Sequence, residues 1–212
     1  MKKIHYALDY NNARGLAHWV AYELTSEEAQ APRKKRGSHW INDPLLENAP
    51  NQKVYAGAKS SIGIERGHLI PRRDSHWSDA YLNASYEMGN CSPQFDSLNN
   101  GPWKHLEGQV NQWAQRFGKV YIIAGPLLES QGRLKEQIDI PTGYWKTVLR
   151  TLPDTAGIAF VIPNERKPLN RYLDYRVSVD SVEAQIKLDL FHQLPKSLQE
   201  LIESNTDSNW PE

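Results

Sequence analysis

Residues 102–117 place the strongest constraint on the fold. Trp103, Leu106, Val110, Trp113 and Phe117 recur at spacings of 3, 4, 3 and 4, which draws one apolar stripe along a helix. Pro102 suits the first turn, where a missing backbone donor costs little. Gly118 follows as a stop signal. The next segment, Lys119-Val120-Tyr121-Ile122-Ile123-Ala124, reads as a buried strand closed by Gly125-Pro126.

Other segments extend this helix-and-strand pattern. Strands are expected at 4–10, 19–24, 144–149 and 158–162, the last ended by Pro163-Asn164. Short helices are expected at 181–191 and 197–204. Residues 25–63 are polar, weakly periodic and read mostly as solvated loop. They hold the basic cluster Arg33-Lys34-Lys35-Arg36, then Trp40 and Asp43-Pro44. The polar tail from Asn205 reads as frayed. With no internal repeat and no linker, the expectation is one α+β domain over 1–212.

Composition narrows the function classes. Hydrophobic residues are 39% and charged residues 24% of the 212, the balance of a soluble globular chain. No run of about 18 apolar residues occurs, so no membrane span is expected. Lys+Arg and Asp+Glu both number 25, which argues against a globally basic nucleic-acid binder but permits a local basic groove. Cys91 is the only cysteine, so an internal disulfide and a zinc-thiolate cluster are both excluded. Two lysines near the N-terminus precede no apolar stretch, so residues 1–6 are not expected to act as a signal peptide.

Residues 65–71, Glu-Arg-Gly-His-Leu-Ile-Pro, concentrate chemical potential. His68 titrates near about 6.5 when unperturbed, so its neutral form can take a proton from water. Gly67 lets the backbone bend or approach closely, and Arg66 supplies a fixed cation suited to phosphate. Asn99 has two readings: an N-cap of the following helix, or a neutral oxygen ligand to Mg²⁺, an ion that keeps most of its waters. Glu107 lies eight residues beyond Asn99, a little over two helical turns and roughly 12 Å along an axis. The two can face one site without both ligating one ion directly. Glu107 is therefore expected to hold a metal-bound water, or to be an ordinary exposed helix glutamate.

On these residues the chain resembles the DNA/RNA non-specific endonucleases, whose active site is a ββα-metal (His-Me finger) motif. The family's Asp-Arg-Gly-His signature appears as Glu65-Arg66-Gly67-His68, followed by Leu69, Pro71 and Asp74. Its Asn-x-x-Pro-Gln element appears as Asn90-Cys91-Ser92-Pro93-Gln94, and its helix as Leu98-Asn99, Trp103 and Leu106-Glu107. Weaker matches run nearly end to end, from Trp19-Val20-Ala21-Tyr22 through Trp145-Lys146 to Val161-Ile162-Pro163-Asn164. The resemblance implies a mostly antiparallel central sheet flanked by helices. It makes His68 the general base, Asn99 the direct Mg²⁺ ligand (with Mn²⁺ or another divalent ion as an expected substitute) and Glu107 the carboxylate acting through water. Arg66 matches the signature arginine, and Asn90 a site-shaping asparagine. Arg36, or else Arg33, matches an upstream arginine. DNA and RNA are the implied substrates, cleaved without sequence preference to 5′-phosphate ends. The family's habit favours a secreted or periplasmic location and allows a homodimer.

Two positions depart from the family pattern. Glu65 replaces aspartate, and Asn111 stands four residues after Glu107 where some members carry arginine. The missing cation could be supplied by Arg72, Arg73 or Arg116. These departures keep open a catalytically weakened or dead relative that binds nucleic acid or a protein.

Overall fold

The computed structural model describes residues 1–34, 39–46, 49–206 and 210–211. Among the described residues ten strands are present: β1 (Tyr6–Asn11), β2 (Leu16–Thr25), β3 (Ile64–His68), β4 (Cys91–Phe95), β5 (Lys119–Pro126), β6 (Ser130–Leu134), β7 (Ile138–Pro141), β8 (Gly143–Arg150), β9 (Ala156–Pro163) and β10 (Arg176–Val177). The α-helices among the described residues are α1 (Ser26–Gln30), α2 (Ala58–Ile62), α3 (Arg72–Ser75), α4 (Asp79–Ser85), α5 (Asp96–Asn99), α6 (Pro102–Phe117), α7 (Val179–Ile186) and α8 (Lys196–Glu203).

Six strands form one sheet in the order β1-β2-β5-β8-β9-β10, and every neighbouring pair is antiparallel. This is the expected α+β architecture. Alternation along each strand gives the sheet two apolar faces. On one face Val20, Ile122, Tyr144, Val148 and Phe160 meet the α6 stripe of Trp103, Leu106, Val110 and Trp113. On the other, Trp145 and Ala159 meet Val179, Val182 and Ile186 of α7. Strands β3 and β4 form a separate antiparallel pair with His68 opposite Cys91. Its sequence continuation through α5 into α6 completes a β-β-α unit.

Three expectations need correction. Part of the segment 25–63 is helical: α1 starts from a capping box in which Thr25 and Glu28 satisfy each other's backbone donors. The helix expected over 181–191 begins at Val179, capped by Ser178, and stops where Lys187 turns left-handed at φ 59°. The tail is tied down at its end: Trp210 is buried. It packs edge-on against Trp113 and Phe117, and its Nε1 donates to the Gly157 carbonyl at 3.2 Å.

Candidate active site

His68 ends β3, where the chain leaves the two-stranded pair. Its ring lies 4.4 Å from Trp40 and 4.9 Å, edge to face, from Tyr86. Its Nε2 is buried and has no hydrogen-bond partner. Burial, assisted by the Arg72 cation, pushes the imidazole pKa down to about 3. The ring is therefore neutral at physiological pH, with one nitrogen unpartnered.

The backbone around His68 is clamped from two sides. Trp103 of α6 donates its Nε1–H to the His68 carbonyl at 3.3 Å. Asn90, fully buried, accepts from the Ile70 N–H at 2.8 Å and donates to the carbonyls of Ile70 and Ser85. Asn90 thus shapes the turn after His68 and satisfies backbone groups that would otherwise be stranded. Gly67 is required by close approach: a Cβ there would sit 2.1 Å from the Gln94 side chain.

Asn99 closes α5, and the residue capping α6 is Gly101, which makes no side-chain cap bond. The N-cap reading of Asn99 is therefore overturned. Its amide nitrogen donates to Glu65 Oε2 at 3.0 Å. Asn100 donates to the same oxygen at 3.0 Å, and Lys59 pairs with the other Glu65 oxygen. The longer glutamate keeps a carboxylate within reach of Asn99 and, by engaging its NH₂, leaves the amide oxygen turned to other partners. Among the described residues no donor takes that oxygen.

Glu107 is half-buried on α6, not the ordinary exposed glutamate allowed by spacing alone. Desolvation raises its carboxyl to about 7; the Asp74 carboxylate also raises it, while Lys146, Arg73 and a bond from Trp103 oppose the rise. Beneath it lies a polar network that sequence reading did not assign. Lys146 is fully buried on β8, with its ammonium 4.3 Å over the Trp103 ring. Burial pulls its pKa down, and Glu107 and Asp74 push it back up. Asp74, raised to about 6 chiefly by burial, accepts from Tyr22 at 2.8 Å and from Asn111 at 3.4 Å. The available signal was Lys146 itself, the one charged residue in the apolar run Tyr144–Leu149.

The arginines fall into distinct places. Arg66 is exposed, with one nitrogen 3.4 Å from the Gln52 side-chain oxygen. Arg73 and Arg33 line a cleft of about 310 Å³ with His76, Gly108 and Asn111. Arg73 rests over α6 so closely that a Cβ at Gly108 would lie 3.1 Å from it. Arg116 is instead placed against Phe117 at the far end of α6. Arg36 lies outside the described residues. Among the hydrogen bonds and ion pairs of the described residues, none joins His68, Asn99 and Glu107 directly. They are linked through Trp103 and the β-β-α frame.

The β-β-α unit thus carries His68, Asn99 and exposed Arg66 on one frame. The chain belongs to the DNA/RNA non-specific endonuclease family, whose sequence model matches residues 1–197; it is a nucleic-acid hydrolase of a divalent-metal-dependent family. A nuclease of Nostoc sp. (strain PCC 7120 / SAG 25.82 / UTEX 2576) is 29% identical over 226 residues, covering 98% of this chain and 78% of that protein. A nuclease of Serratia marcescens is 29% identical, covering 94% and 77%. The mitochondrial nuclease of Saccharomyces cerevisiae is 26% identical, covering 89% and 64%. In fold, the chain superimposes with a TM-score of 0.74 on a chain of the EndoG/EndoGI complex, at 19% identity, covering 92% of this chain and 86% of that one.

Proposed function

We propose that this chain is a Mg²⁺-dependent, sequence-non-specific endonuclease acting on DNA and RNA, with His68 as general base and Asn99 as the direct protein ligand of one ion. The observation that carries the reading is the state of His68: neutral, ring-packed, and with an unpartnered Nε2 on the same β-β-α unit as Asn99. The donor set fits a hard cation. Asn99 offers an amide oxygen that no described donor takes, and the adjoining groups are carboxylates rather than thiolates. Asn99 directly, and Glu107 through a water, would hold the ion; Mn²⁺ fits the same oxygen donors. When bound, the ion supplies Lewis-acid stabilisation of the charge on the phosphoryl oxygens and on the leaving oxygen.

The chain's own residues do the rest. His68 Nε2 accepts a proton from water as the water oxygen bonds to phosphorus. The P–O3′ bond breaks, leaving a 5′-phosphate and a 3′ oxygen that takes up a proton. The depressed pKa of His68 belongs to the substrate-free protein; a phosphodiester against the ring favours the charged form and strengthens the base. Trp40, Tyr86 and the Asn90 clamp hold the imidazole in place. Exposed Arg66 and Arg72 bind flanking phosphates. Arg73, beside Glu107 and Asn111, supplies the cation that Asn111 lacks. These groups all address phosphate rather than base edges, which supports weak sequence preference. A secreted or periplasmic location and homodimerisation belong to this reading on family grounds alone.

Calorimetric titration of Mn²⁺ or Mg²⁺ into Asn99→Ala tests the ligand assignment. Binding at this site should be lost while the circular dichroism spectrum is kept. Wild-type affinity in the variant would remove Asn99 from the metal site.

A further inference from the structure

A second cluster of charged side chains lies on the other side of the sheet from α6. Asp180 and Glu183 sit one turn apart on α7, and Glu203 ends α8. One carboxylate oxygen from each lies within 4.8 Å of the others. Asp189, Glu200 and Lys196 also line their cleft, which measures about 410 Å³. Five carboxylates therefore face one ammonium. Among the described residues no ion pair is made to Asp180, Glu183 or Glu203.

An acidic cluster on a surface is ordinary, but Glu203 is not on the surface. It is only 6% exposed, and its Oε1 is buried without any hydrogen-bond partner. A carboxylate with a buried, unpartnered oxygen, gathered with two further carboxylates, is unfavourable unless something positive completes it. Desolvation, then Glu183, Asp180 and Asp189, push the Glu203 carboxyl up to about 7. Glu183 is held in place by accepting the Leu190 N–H at 2.6 Å.

We propose that Asp180, Glu183 and Glu203 form a Ca²⁺ site that ties α7 to α8. The ligands are all carboxylate oxygens, which disfavours zinc and other nitrogen- or sulfur-seeking ions. Separations of no more than 4.8 Å let one hard cation touch all three carboxylates at once. The open cleft leaves room for the waters that complete a shell of six to eight. The role is structural. It joins the two C-terminal helices and stands apart from His68 and Asn99.

The test is thermal unfolding of EDTA-stripped protein with added Ca²⁺, alongside calorimetric titration of Ca²⁺ alone. Both are run on the wild type and on Asn99→Ala, which removes the proposed catalytic ion. At free Ca²⁺ ten times the dissociation constant, Tm should rise by ~3–6 °C in both proteins. Glu203→Gln and the exposed-site change Asp180→Asn should each weaken Ca²⁺ binding at least tenfold and lose the shift. Glu203→Gln should also melt higher than wild type in EDTA, because it removes the repulsion. Should Glu203→Gln fail to fold, Asp180→Asn alone decides. No Ca²⁺ binding by the wild type, or a shift that survives Asp180→Asn, overturns the proposal.

Discussion

The protonation state of His68 follows from what surrounds it. Two aromatic rings and the loss of water hold it neutral, and Arg72 adds to the effect. The unfolded chain binds a proton at this position near 6.5 but the folded chain only near 3. Between those values the unfolded state takes up more protons, so the stability contributed by His68 is present above 6.5 and lost as pH falls toward 3. Glu107 runs the other way: its contribution is full below 4.5 and lost as pH rises through about 7. Nitrogen NMR of the metal-free, substrate-free protein should show the His68 ring neutral at pH 5, with titration only near 3. A midpoint at 6.5 would contradict the buried environment. His68, Asn99 and Glu107 stood out as candidates in the sequence because each sits in a motif of ordered residues. The Lys146–Asp74–Tyr22 network did not, because those residues come from β8, α3 and β2 and meet only in the folded chain. Nor did the sequence separate the two readings of Asn99, which depended on whether the turn before α6 was capped by Asn99 or by Gly101.

At the scale of elements, α6 is where sequence and structure agree most closely, since Pro102, the apolar stripe and Gly118 set its two ends and its buried face independently. The short elements are where they part. Helix α1 is five residues long, too short for periodicity to register, although Thr25 and Glu28 spelled out its capping box. Strands β3 and β4 were hidden because their polar and glycine content serves the site and does not alternate cleanly. The tail misled for a different reason. One tryptophan in a polar stretch carries its anchoring, and its partners Trp113 and Phe117 lie about 100 positions earlier. Trp210→Ala should therefore lower unfolding free energy by about 3–5 kcal/mol in urea titration, the range for deleting a buried aromatic. A loss below about 1 kcal/mol would mean that the tail contributes little.

For the whole molecule, the central sheet was legible because β5, β8 and β9 are apolar enough to be buried on both faces, which demands a layer on each side. The zero net charge was also informative, since it requires nucleic-acid binding to depend on a local set of cations. If Arg33, Arg66, Arg72 and Arg73 each neutralise one phosphate, the logarithm of duplex-DNA affinity should fall with the logarithm of salt at a slope of about −3.6. Fluorescence anisotropy in EDTA measures this; a flat dependence would exclude an arginine-lined groove. Whether His68 is the base of phosphodiester hydrolysis is decided by the rate at which His68→Ala cleaves plasmid DNA in Mg²⁺. The rate should fall ~10²–10⁴-fold with DNA binding and circular dichroism unchanged; cleavage at the wild-type rate would remove His68 from the role of base.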